Sequence, residues 1–157
     1  MKSVLVLQHT EAEFLGLIED HLESRNIGFR YVRPFANRGW VPPKAEDQDA
    51  LILLGAGPWG TLSEPVLPSL KRELKLTRQF LESGRPVIGF GAGAQILALA
   101  AGGGVEVNDL CFRVGSARRA TDSALNGFLP DSFPEIVYMR DRPVPPPSAT
   151  VLAEHAG

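Results

Sequence analysis

The chain has 157 residues, 44% of them apolar and 22% charged, with 16 Lys+Arg against 18 Asp+Glu and a formal net charge of −2. These are the values of an ordinary globular domain long enough to bury a core, and they exclude a disordered tail, a coiled coil and a collagen-like repeat. A charge so near neutrality favours neither nucleic acid nor an anionic membrane as partner.

Val4 to Leu7 is a continuous apolar run with β-branched residues and predicts a buried parallel strand. It closes on Gln8-His9 with Glu11 and Glu13 beyond, so it does not read as a signal peptide, and no apolar run is long enough to span a bilayer. Thr10 and Glu13 have the spacing of a capping box. Phe14, Ile18 and Leu22 then recur every four residues and predict a helix ending near Arg25. Phe29 to Val32 predicts a second strand, and 33–48, with Pro34, Gly39, Pro42 and Pro43, an irregular stretch.

Ala50 to Leu54 predicts a third strand, turned sharply by Gly55-Ala56-Gly57-Pro58. Helical spacing runs from Pro68 to Leu81 and stops at Ser83-Gly84. Pro86 to Phe90 predicts a fourth strand, and Gly91-Ala92-Gly93 leads into a helix over Gln95 to Ala101 that Gly102-Gly103-Gly104 ends. Those last glycines are no phosphate loop, since they follow a helix and lack the Lys-Ser/Thr ending. This alternation predicts a parallel α/β sheet. Beyond Val105 the pattern weakens. Phe112-Arg113-Val114 and Glu135 to Tyr138 predict short antiparallel edge strands, Pro143 to Pro147 a connector, and Thr150 to Leu152 a last strand. The single cysteine, Cys111, rules out an internal disulfide and a cysteine-rich metal site. It suits a reducing cytoplasm, the expected location, and is expected to be a buried or inert thiol.

Ligands in open α/β sheets bind beyond the carboxyl ends of the strands. His9-Thr10, the 55–60 turn and the 91–93 turn meet that condition. Their backbone N–H groups, those of the Gly57 loop in particular, could receive an anion such as a small carboxylate. Gly89-Phe90-Gly91-Ala92-Gly93 has the spacing of a nucleophile elbow. Its central residue, Gly91, has no side chain with which to attack, and glycine takes a positive φ at little cost. Of the other candidates, His9 is expected to be structural, His21 a surface residue and His155 mobile. Trp40 and Trp59, with Phe35, either pack within the irregular loop or line a partner surface.

Val4 to His9, Asp49 to Pro58 and Pro86 to Ala98 together resemble class I glutamine amidotransferase domains, and the resemblance resumes around Asn126 to Pro130 and Pro146 to Ala153. It implies a flavodoxin-like, doubly wound, mostly parallel sheet with helices on both faces. It also implies one truncated domain over 1–157 that lacks the family's C-terminal part. The family elbow reads Gly-x-Cys-x-Gly-x-Gln; Gly89, Gly93 and Gln95 match it, and Gly91 stands where the Cys would be. Ala56-Gly57-Pro58 stands for the family's glycine-glycine-proline oxyanion loop, and a family His falls on Met139 or Arg140. The family's catalytic His and Glu lie beyond the matched residues. A thioester route needs a thiolate and a base. The expectation is therefore a degenerate, non-catalytic binding or scaffolding subunit with no catalytic residue, metal or cofactor. Gly57, Pro58, Gly89, Gly93 and Gln95 would form its binding residues. The alternatives are an active amidotransferase completed by a partner chain or by other residues such as His9 and Cys111, and a small-ligand sensor using the glycine-lined pocket. The partner expected is a second copy or a larger subunit.

Overall fold

The computed structural model describes residues 1–45, 47–62, 67–122 and 124–155. Gly157, where the domain bound was drawn, lies outside the described residues. The central sheet has four parallel strands, β1 (Ser3–Leu7), β2 (Gly28–Val32), β3 (Ala50–Leu53) and β4 (Val87–Gly89), in the order β2-β1-β3-β4. That order is the flavodoxin-like one. The chain is thus α/β, with the doubly wound arrangement that the resemblance implied.

Strand alternation divides the core in two. Leu5, Leu7, Leu51 and Leu53 point to one face, where α2 (Leu70–Glu82) brings Leu76 and Phe80 and α3 (Ala92–Ala100) brings Ile96. Val4, Val6, Ile52 and Leu54 point to the other, covered by Leu15 and by Ile18 and Leu22 of α1 (Leu17–Glu23). Leu5, Leu7, Leu51, Leu53, Phe80 and Ile96 are at most 1% exposed. Burying each such side chain contributes about 1.5–3 kcal/mol.

Three expectations need correction. The helix after β1 is shorter than its spacing predicted, because Gly16 at φ 57 starts it at Leu17, and the Thr10–Glu13 capping box does not form. Glu13 instead accepts the Gly57 N–H, 44 residues away, and Phe14 stays exposed outside the helix. The two weak strands are not edges of the parallel sheet. They are β6 (Cys111–Arg119) and β7 (Ser132–Met139), a long antiparallel pair in a separate sheet with β9 (Ala153–His155), which lies just past the expected Thr150 to Leu152. Pro143 is no connector residue. It is the middle residue of β8 (Arg142–Val144), paired with β5 (Gly104–Glu106) in a two-stranded sheet, and on such an edge strand a missing N–H is tolerated.

β4 turns into α3 through an unusually close contact. Gly91 is the N-cap at φ 50 and ψ −118, and its carbonyl accepts the N–H groups of Ala94 and Gln95. A Cβ on Gly93 would lie 2.1 Å from the Leu53 carbonyl oxygen, and one on Gly89 would lie 2.5 Å from that of Gly93. Both positions require glycine because strand and helix touch backbone to backbone.

A buried ion pair ties β1 to α2. His9 Nδ1 donates to the Leu54 carbonyl at 2.8 Å, and Nε2 meets Glu73 Oε2 at 2.7 Å with both side chains wholly inaccessible. Ser69 Oγ donates to the other Glu73 oxygen at 2.5 Å. A carbonyl at one ring nitrogen and a carboxylate at the other favour the protonated form of His9. Burial pulls its pKa down, but the hydrogen bond and charge of Glu73 and the Leu54 and Gly55 carbonyls outweigh it and hold the pKa above 6.5. A raised histidine pKa adds stability that is complete below the unfolded value and lost as pH rises through the folded one. Urea midpoints of the natural chain should therefore fall as pH climbs from about 6.5, while those of His9→Gln should lack this decline. Glu73→Gln strands the buried cation and should cost about 3–5 kcal/mol at pH 6.

Candidate functional site

Beyond the carboxyl ends of β1, β3 and β4 lies a cavity of about 700 Å³. Its floor is the backbone of Gly55 and Gly91, and its walls carry Trp59, Phe90, Tyr138 and Met139. The size suits a small organic molecule. The Gly57 N–H points at Glu13, whose Oε1 accepts it at 2.6 Å. The loop that was expected to receive an anion thus holds a carboxylate of this chain. Gly55 makes room for it: a Cβ there would stand 2.1 Å from Glu13 Oε2.

The expected binding residues divide into two groups. Gly57 and Pro58 line the cavity beside Gly91. Gly89 and Gly93 lie beneath it as the packing contact between β4 and α3. Gln95 is fully buried in the first turns of α3, and its amide is engaged within the protein. Its oxygen accepts from Thr61 N at 3.1 Å and Thr61 Oγ1 at 2.8 Å, and its nitrogen donates to the Arg140 carbonyl at 2.7 Å.

Gln95 belongs to a brace that sequence reasoning did not find. Asp141, only 2% exposed, accepts the Leu62 N–H at 3.0 Å and the Asn108 N–H at 3.3 Å. Arg140 Nε donates to the Pro58 carbonyl at 3.0 Å. Together these bonds fasten the 56–62 loop to the turn between β7 and β8, directly above α3. Of the two positions matched to a family His, Met139 lines the cavity and Arg140 serves this brace.

His9 lies below the site, its ring committed to Glu73 and the Leu54 carbonyl. Cys111, expected to be a buried or inert thiol, is not buried: β6 begins there with that side chain exposed. His155, expected to be mobile, lies in β9 opposite Ala117, with Nδ1 against Glu135. His21 is on the surface as expected. Trp40, Trp59 and Phe35 are half-exposed, and Trp59 faces the cavity. Among the described residues, no group of His, Cys, Asp and Glu could hold a metal ion, and no helix is long and apolar enough to cross a membrane.

No family model and no curated protein matches the chain. Solved structures do. A glutamine amidotransferase from Thermotoga maritima superposes with a TM-score of 0.81 at 27% identity, over 97% of this chain and 66% of that one. The glutamine amidotransferase from Methylobacillus flagellatus gives 0.86 at 25% identity, over 99% of this chain and 62% of that one. PurLQS from Thermotoga maritima, with 0.59 at 14% identity over 99% of this chain and 75% of that one, shares the fold. The chain spans 66% and 62% of the length of the two glutamine amidotransferases. With the strand order and the glycine elbow already in place, these likenesses make the chain class I glutamine amidotransferase-like.

Proposed function

We propose that this single domain is a non-catalytic member of that group, acting as a binding or scaffolding subunit. The observation that carries the reading is Gly91. Solved structures similar to this chain are of glutamine amidotransferases, and the resemblance puts their attacking thiol at the elbow's centre. Here that centre is a glycine on the cavity floor. The other groups weighed as substitutes are poorly placed. His9 is buried and committed to Glu73, and Cys111, though paired with Met139, is not among the residues that line the cavity over Gly91.

Partner binding has its own support. Phe112 and Val114 of β6 pair with Tyr138 and Ile136 of β7, and all four side chains are exposed on one face of the hairpin. On the parallel sheet, Ile88 of the edge strand β4 is exposed in an apolar groove with Val4, Leu22, Ile27 and Ile52. Contiguous apolar surface and an open strand edge favour association. The cover fitting this surface is a second copy or a larger subunit.

The pure protein incubated with glutamine should release no ammonia above the uncatalysed rate, and Gly91→Cys alone should not restore release. Groups that act as a unit recover little when one member returns. Ammonia production by the natural chain would overturn the reading. Gly91→Cys should also unfold at a lower denaturant concentration. Its Cβ would fit, 3.4 Å from the Gly55 Cα, so the cost is that of a side chain at positive φ, about 1–3 kcal/mol. Light scattering at micromolar concentration should report a dimer or larger, or a stable complex with a partner subunit. A monomer that stays monodisperse at high concentration and takes no partner would count against scaffolding.

A further inference from the structure

The cavity over Gly91 has one charged side chain on its lining, the carboxylate of Glu13, among the described residues. That carboxylate is held in place from two sides. Gly57 N–H bonds its Oε1 at 2.6 Å, and Gly55 lacks the Cβ that would displace it. Its Oε2 has no donor among the described residues, so one oxygen of a fixed anion remains free to accept. Around it stand Trp59, Phe90 and Tyr138, each 39–45% exposed, on walls that are otherwise predominantly apolar. The Tyr138 ring comes within 4.0 Å of the Cβ position of Gly57, close to the Glu13 carboxylate. Aromatic faces carry negative potential, and a carboxylate beside them attracts a cation that has apolar groups to bury.

We propose that this cavity is a site for an organic cation, a primary or alkylated ammonium with a short apolar body. The ammonium sits against Glu13 Oε2, and the apolar body lies against Trp59, Phe90 and Tyr138. The assignment rests on reading the cavity as a binding site. A ligand carboxylate is the poorer fit, since the Gly57 N–H is already given to Glu13 and a second anion would meet its charge.

The test is a titration of the full chain followed by NMR signals of the Trp59 indole and Tyr138 ring. The probes are n-butylammonium chloride and tetramethylammonium chloride, with sodium chloride, sodium butyrate and glutamine at equal ionic strength as comparisons. Both cations should shift the signals saturably, and sodium chloride and butyrate should not. Glu13→Gln, which keeps an acceptor for Gly57 but removes the charge, should weaken n-butylammonium binding at least tenfold. Trp59→Ala is an independent second variant and should weaken tetramethylammonium binding by a similar factor. Saturation by butyrate or glutamine without saturation by either cation would overturn the cation assignment and leave a binding cavity standing. Cation affinity unchanged in Glu13→Gln, or no saturable shift with any probe, would also overturn it. Ammonia released in the glutamine samples would instead defeat the non-catalytic reading, whatever the cation titration shows.

Discussion

The architecture hangs on the backbone-to-backbone contact between the start of α3 and the ends of β3 and β4. Gly93 lies against the Leu53 carbonyl and Gly89 against Gly93, with no space for a methyl group at either. A side chain there would lift α3 from the sheet, and interiors packed at crystal density yield little to such a shift. The contact sets where Gly91 falls, and it sets where Gln95, one turn later, can reach. Gln95 in turn holds Thr61 and the Arg140 carbonyl, so the loop over the cavity and the turn after β7 inherit their positions from the same contact.

The polar groups of the interior are placed on the same economy. His9, Glu73, Gln95 and Asp141 are all buried, and each spends its hydrogen-bonding capacity on named partners. An unpaired buried charge or amide would cost far more than these bonds contribute, so each group specifies a register between elements. His9 with Glu73 fixes β1 against α2. Asp141 fixes the small antiparallel strands against the loop that follows β3. Glu13 differs from them: one oxygen is bonded to the Gly57 N–H, and the residue lies on the cavity lining.

The parallel half of the fold was legible because its signals are local. Val4 to Leu7 and Leu51 to Leu54 are unbroken apolar runs, and Glu73, Leu76, Thr77 and Phe80 keep helical spacing along one buried face. The antiparallel half was harder. Gly115 and Pro134 interrupt β6 and β7, and Phe112, Val114, Ile136 and Tyr138 put apolar side chains outward, which blurs the usual inside-outside alternation. Pro143 disguises β8. At the site, Gly91, Gly57 and Pro58 could be read from the glycine spacing. The capping box at Thr10 and Glu13 was misread because a spacing cannot show that a distant Gly57 N–H competes for the same carboxylate. Leu62 and Asp141 are 79 residues apart and Thr61 and Gln95 are 34 apart, so the brace is a property of the folded chain alone.

The position of Cys111 has a practical consequence. It is the one cysteine of the chain, it is exposed, and it pairs in register with Met139, a residue of the cavity wall. A maleimide dye or nitroxide would therefore attach at a single place without prior mutagenesis. Its attachment point lies one strand spacing, about 5 Å, from the backbone of Met139. Emission or spin relaxation from that label would register what enters the cavity and what settles on the hairpin, two events that a mass measurement alone would merge.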